Sequence, residues 1–83
     1  SLAAYPNPAT STVTVSYDLS GVNAAGSANL VITNLVGSKV AVRSLNGTSG
    51  KVGVDISNLD AGIYFYSIEA NGQAISTRKL IVK

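Results

Sequence analysis

Apolar and polar residues alternate along most of this chain, and no stretch repeats its apolar residues with the 3.6-residue period of a helix. Alternation sends successive side chains to opposite faces of a strand, so each stretch offers one apolar face. The alternating stretches are TVTVSY, ANLVIT, KVAVR, KVGVDI and QAISTRKLIVK, while IYFYSIEA is apolar on both faces at its start. The pattern predicts an all-β chain of six strands, or seven with Leu2 to Tyr5, and places IYFYSIEA centrally in a sheet.

Turn-forming residues separate these stretches. Asn71-Gly72 joins two strand-like runs directly and suits a two-residue hairpin turn, because both positions must accept positive φ. Longer turns are predicted at residues 34–37 and 46–50, and residues 21–28 form the most flexible connection. Short strands at close spacing with turns between them predict an antiparallel β-sandwich, with a small closed barrel as the alternative.

Two stretches carry more specific information about folding. SNLDAGIYFY places Gly62 two residues before Tyr64, which resembles the tyrosine corner of immunoglobulin-like sandwiches, with Leu59 filling the core. The alternative is an ordinary turn followed by an aromatic strand residue. In YPNP, Pro6 and Pro8 lack backbone donors, so this segment is predicted to lie extended at a sheet edge or to cap a strand.

Composition limits the chain to one domain, residues 1–83, with a thin core rich in Val, Ile, Leu and Ala. It is 46% hydrophobic and only 12% charged, which excludes a disordered tail. The net charge of +2 comes from scattered lysines and arginines, which suit exposed sheet edges better than nucleic acid. No apolar run approaches the ~18 residues of a membrane-spanning helix.

The residue types needed for catalysis are scarce. The sequence has neither His nor Cys, so the usual general base, thiolate and soft metal ligands are missing. Its four carboxylates, Asp18, Asp55, Asp60 and Glu69, show no spacing typical of a paired acid–base site or a calcium loop. We therefore predict a protein that is not an enzyme and needs no cofactor or metal.

The chain opens on SLAAYPNPAT, with no initiator Met and no charged start followed by an apolar stretch. We expect it to be a fragment of a larger secreted protein.

Four stretches together resemble a known family: YPNPATSTVTVSY, VITNLVGSKV, LDAGIYFYSI and KLIVK. Their order and spacing are similar to those of the C-terminal sorting domains carried by cargo of the type IX secretion system (Por secretion system, type A) of Bacteroidota. The resemblance covers residues 5–83. One departure is Thr33, which stands where an aromatic residue is frequent in the family.

The resemblance implies an immunoglobulin-like antiparallel β-sandwich of about seven strands that acts as an address without catalytic activity. Its partners would be the translocon and shuttle proteins of the type IX system and a surface sortase-like peptidase. The peptidase would remove the domain and attach the cargo to the cell surface, after transit through the periplasm and across the outer membrane. No nucleic-acid partner and no membrane insertion are expected, because the basic residues are scattered and no apolar run is long enough.

Residue roles follow from the resemblance only where motifs match. The segment on which export depends in the family corresponds to Lys79, Leu80, Ile81, Val82 and Lys83. A second group matches positions that folding explains better: Tyr5, Pro6, Asn7, Pro8, Gly37, Gly62 and Tyr64.

The last stretch raises the question of whether it closes a sheet, is read by a partner, or does both. Alternation puts Leu80 and Val82 on one face, which we expect to anchor the strand in the core. Lys79, Ile81 and Lys83, with the terminal carboxylate, are expected to be left for a receptor that adds a strand at the sheet edge.

Two other functions fit the sequence. One is a surface-attached adhesive or carbohydrate-binding module, for which Tyr5 is the aromatic residue expected to be exposed. The other is a passive spacer, whose last residues should not matter. The chain is expected to be a monomer or a strand-exchanged dimer, since an unpaired sheet edge permits exchange.

Overall fold

The computed structural model describes residues 2–20 and 28–83, and within these ranges it contains β-strands and no helix. All of the predicted strands form, including the short one at Leu2 to Tyr5. The seven strands are β1 (Leu2–Tyr5), β2 (Thr12–Asp18), β3 (Ala28–Thr33), β4 (Lys39–Leu45), β5 (Ser49–Asp55), β6 (Gly62–Ala70) and β7 (Gln73–Val82).

The strands form two antiparallel sheets packed as a sandwich. One sheet has the order β1-β2-β5 and the other has the order β4-β3-β6-β7. Written with immunoglobulin letters, these are sheets A-B-E and C′-C-F-G, so the architecture is immunoglobulin-like and not a closed barrel. As predicted, β6 is a central strand, and its apolar residues on both faces suit a strand with neighbours on each side.

The core lies between the two sheets and follows the alternation of the sequence. Val13, Val15 and Tyr17 of β2 are buried, and they face residues of β3 and β6 that alternate in the same way. Val40 and Val42, which alternation places on one face of β4, are instead exposed. Ala41 lies opposite the core residue Ile32, and Leu45 lies opposite Ala28, so these two residues pack against the core in place of the valines. A register shift between Ile32 and Thr33 leaves Val40 without a cross-strand partner.

The tyrosine corner forms as predicted. The Tyr64 hydroxyl donates a 2.7 Å hydrogen bond to the carbonyl oxygen of Asp60, and Leu59 packs against the core beneath the turn. Gly62, between these two residues, adopts a φ of +156°, which residues with a side chain rarely adopt. The corner therefore fixes where β6 begins.

The hairpin between β6 and β7 also forms as predicted. Asn71 and Gly72 both take positive φ, at 54° and 79°, and Ala70 pairs directly with Gln73 across the turn. The long last strand carries the expected irregularity, because the register shifts next to Glu69 and leaves Ile75 without a cross-strand partner. The predicted flexible connection at residues 21–28 lies outside the described residues, except for Ala28.

The structure makes a direct prediction for the corner. We expect Tyr64→Phe to destabilise the domain by about 1–2 kcal/mol, because the Asp60 carbonyl would lose its partner in a half-buried position. Urea unfolding followed by circular dichroism measures this change. In the matched control, Tyr5→Phe at an exposed tyrosine should change stability by less than about 0.5 kcal/mol. Equal stabilities for the two variants would contradict a stabilising corner.

Candidate functional site

The last strand has two different sides. Leu80 and Val82 point into the sandwich and are buried, as their alternation predicts. Lys79 and Lys83 are exposed, and Ile81 keeps 36% of its surface accessible. The side chains that anchor the strand are thus separate from those that a partner could contact.

The free edge of this strand is covered by the YPNPA segment near the start of the chain. The Ala9 amide donates to the Ile81 carbonyl and the Lys83 amide donates to the Ala9 carbonyl, each at 2.8 Å. These bonds form a short parallel pairing of Ala9 with Val82, and Ala9 itself is fully buried. The covering segment therefore continues the four-stranded sheet beyond β7.

The Asn7 side chain completes this pairing. Its Nδ2 donates to the Lys79 carbonyl at 3.1 Å, and its Oδ1 accepts from the Ile81 amide at 3.0 Å. An amide side chain can satisfy a backbone donor and a backbone acceptor at once, as a neighbouring strand would. We call residues 7–9, with these four hydrogen bonds, the clasp.

The clasp corrects two expectations from the sequence. YPNP is an edge segment, but it bends at residues 6–8 and has cis bonds before Pro6 and Pro8, so it does not run extended. The backbone edge of residues 79–83 is already bonded, so a receptor cannot add a strand there while the clasp is in place. What this part of β7 offers to a partner is its exposed side chains.

The exposed side of the last strand joins a larger apolar face. Ile81 lies directly opposite Ile63 of β6, and Lys79 lies opposite Phe65. Directly opposed residues share one face of a sheet, so these four side chains point outward together. On the three-stranded sheet the outward side chains of β2 and β5 are mostly polar, and they include Thr12, Thr14, Ser16, Lys51 and Asp55.

Charge is distributed unevenly over this face. The Lys39 ammonium lies 3.4 Å from Glu69 Oε1 and forms an exposed ion pair. Lys79 and Lys83 have no such pair with any carboxylate that the structure describes. The exposed end of β7 is therefore positively charged and free to attract an acidic surface.

The other carboxylates with resolved contacts serve the local backbone. Asp55 Oδ1 accepts from the hydroxyl and the amide of Ser57, which lowers the pKa of Asp55. Asp18 accepts from the Ser20 amide at 2.9 Å, and its pKa is lowered in the same way. Burial raises the pKa of Tyr66, against a smaller lowering effect of Arg78. These groups stabilise turns and core rather than forming an acid–base pair.

The described residues contain no cluster of three or more acidic side chains that could hold a metal ion. No helix in the described part of the chain is long and apolar enough to cross a membrane.

The residues singled out in the sequence separate into three places. Lys79 to Lys83 and Asn7 to Ala9 meet in the clasp, although 72 to 74 residues separate the side-chain partners. Gly62 and Tyr64 lie in the corner. Gly37 lies in the turn between β3 and β4 with a φ of 89°. Sequence reasoning treated Asn7 only as part of a folding motif and missed its contact with the last strand.

The structure is thus an immunoglobulin-like sandwich whose last strand is buried on one side and exposed on the other. The sequence matches the family model described as a secretion system C-terminal sorting domain over residues 3–83, and the chain belongs to this family. No curated protein matches the sequence. The domain is therefore a C-terminal sorting signal of the type IX secretion system. Membership of this family implies export across the outer membrane.

The clasp can be tested through the amide of Ile81. We expect Asn7→Ala to destabilise the domain by about 1–2 kcal/mol, because Lys79 and Ile81 would each lose a hydrogen bond. Hydrogen exchange of the Ile81 amide should speed up at least about tenfold, since 1.4 kcal/mol corresponds to that factor.

Asn7→Asp is the matched control, because its carboxylate keeps an acceptor for the Ile81 amide while losing the donor to Lys79. Exchange at Ile81 should stay slower in this variant than in Asn7→Ala. If the Ile81 amide of Asn7→Ala exchanged at the wild-type rate, the clasp would not protect the last strand.

Proposed function

We propose that this chain is the non-catalytic sorting domain of a larger secreted protein and is recognised through the exposed side of its last strand. The cargo precedes the domain, crosses the periplasm, and is passed through the outer membrane by translocon and shuttle proteins of the type IX system. A sortase-like peptidase then removes the domain, and the cargo is attached to the cell surface. The family match over residues 3–83 supports the role as an address.

The observation that supports this proposal is that buried and exposed side chains alternate within residues 79–83. Leu80 and Val82 fill the core, while Lys79, Ile81 and Lys83 are exposed on a backbone held by the clasp. A rigid display of side chains limits the conformational entropy lost on binding, which favours recognition. The partner therefore contacts these three side chains, and the other two hold them in position.

Removal of the domain fits the start of the fold. Leu2 is buried and pairs with Tyr17, so the chain is held in the sheet from Leu2 onward. A peptidase needs an accessible extended backbone, which paired strands do not offer. We place the cut ahead of Leu2, in the chain that links cargo and domain.

A second function draws on Tyr5, which is exposed as expected at the end of β1. An exposed aromatic ring beside polar side chains can stack on a sugar, so a carbohydrate-binding module is the alternative. A glycan screen on the isolated domain checks it, and specific binding that Tyr5→Ala abolishes would support it.

Deleting residues 79–83 does not test recognition cleanly. The deletion removes Leu80 and Val82 from the core and breaks the clasp together with the exposed side chains. Loss of export would then report unfolding as readily as lost recognition. Substitutions confined to the exposed side avoid this problem.

The test uses a reporter fused ahead of Ser1 and given an inner-membrane signal peptide, in a Bacteroidota host with a type IX system. We expect the triple variant Lys79→Ser, Ile81→Ser, Lys83→Ser to lower the exported fraction at least about tenfold, because it removes the contacted side chains. The fraction of reporter outside the cell and in the periplasm is measured by immunoblot.

The control triple is Arg43→Ser, Lys51→Ser and Ile75→Ser, which also removes two positive charges and one exposed isoleucine. It should be exported like wild type, and both triples should unfold at similar urea concentrations. Equal export of the two triples would exclude recognition through residues 79, 81 and 83. Retention of the wild-type fusion, in a host that exports a working sorting domain, would exclude the sorting function.

A further inference from the structure

Two large apolar side chains are displayed at the tip of the turn between β3 and β4. Leu35 is 67% exposed and Val36 is 84% exposed, the highest values among the large apolar residues that the structure describes. Single exposed apolar residues are ordinary on a protein surface, but two adjacent ones on a turn are candidates for a contact with a partner.

The turn is held rigidly by Asn34. Its Oδ1 accepts from the amides of Val36 at 3.1 Å and Ser38 at 3.0 Å. Its backbone amide donates to the Ser38 carbonyl and its carbonyl accepts from Gly37, both at 3.0 Å. Because these bonds already fix the backbone, a partner loses little entropy in ordering this turn.

The turn borders an apolar cleft that leads to the last strand. The cleft has a volume of about 290 Å³ and is lined by Asn34, Leu35, Val36, Ala61, Gly62, Ile63 and Tyr64. Ile63 is itself partly exposed and lies directly opposite Ile81. Leu35, Val36, Ile63 and Ile81 thus line one connected surface, which we call the apolar strip.

We propose that the apolar strip is a docking site for a protein of the secretion machinery that inserts an apolar side chain into the cleft. The same partner places carboxylates against Lys79 and Lys83. This rests on the proposed function and extends the recognised surface from β7 to the turn between β3 and β4. Burial of Leu35 and Val36 provides the binding affinity, and the ion pairs of the two lysines fix the orientation of the partner.

The lysines beside the apolar strip favour a partner protein with acidic residues over a second copy of this chain. Lys79 and Lys83 adjoin Ile81 and have no carboxylate partner among the described residues, while none of the strip residues is acidic. In a symmetric dimer the same surface meets itself, so four lysines would converge with only the two terminal carboxylates as counter-charges. An acidic border on the partner satisfies them instead.

The first experiment uses the same reporter fusion and host. We expect Leu35→Ser with Val36→Ser to lower the exported fraction at least about tenfold, because the cleft would lose one apolar wall. The matched control is Val42→Ser with Ile75→Ser, which removes two exposed apolar residues from the same sheet outside the strip. The control should be exported like wild type, and neither double variant should lower the urea midpoint strongly.

Export of the Leu35, Val36 double variant at the wild-type level would overturn the docking site. The proposed sorting function would stand in that case, provided that wild type is exported and the variant at residues 79, 81 and 83 is not. Retention of the wild-type fusion in the periplasm would contradict the sorting function, and with it the docking site.

A photoreactive benzoylphenylalanine in place of Val36 identifies the occupant in cells that carry the full fusion. A covalent adduct with an outer-membrane component of the secretion machinery supports the proposal, if the same residue at position 42 gives none. An adduct with a second copy would make the strip a dimer interface and overturn the proposal. Adducts with lipid alone would overturn it as well.

Discussion

The hydrogen bonds between residues 7–9 and the last strand are the interaction on which the rest of the structure depends. They cover the edge of the four-stranded sheet at residues 79–83 and hold the fully buried Ala9 against β7. An unpaired edge invites association with other chains, so closing it also protects the domain from strand addition. The exposed side chains of β7 are presented in one position as a result.

Under the proposed function, folding and recognition use the same short segment but different sides of it. Because neighbouring side chains in a strand point in opposite directions, Leu80 and Val82 stabilise the sandwich while Lys79, Ile81 and Lys83 remain outside. The outer face of β6 adds Ile63 and Phe65 beside them. A single strand therefore joins the core to an exposed surface, and substitutions on the two sides can be made separately.

Much of the fold follows from local patterns in the sequence. Alternation predicted the strands, Asn71-Gly72 the hairpin, and the spacing of Gly62 and Tyr64 the corner, because each depends on neighbours along the chain. The clasp was not predicted, since Asn7 meets Lys79 and Ile81 across more than seventy residues. The exposure of Val40 and Val42 was also missed, because alternation places both on one face of β4 but does not say which face meets the core.

The clasp also ties the signal to the order in which the chain is made. Asn7 and Ala9 are synthesised before residues 79–83, yet they have no strand to pair with until those residues are made. Contacts at such long range form late in folding, because closing the intervening chain costs entropy first. A truncated product would lack both the last core residues and the covered edge. Under the proposed function, the recognised surface therefore forms only once residues 79–83 have joined the fold.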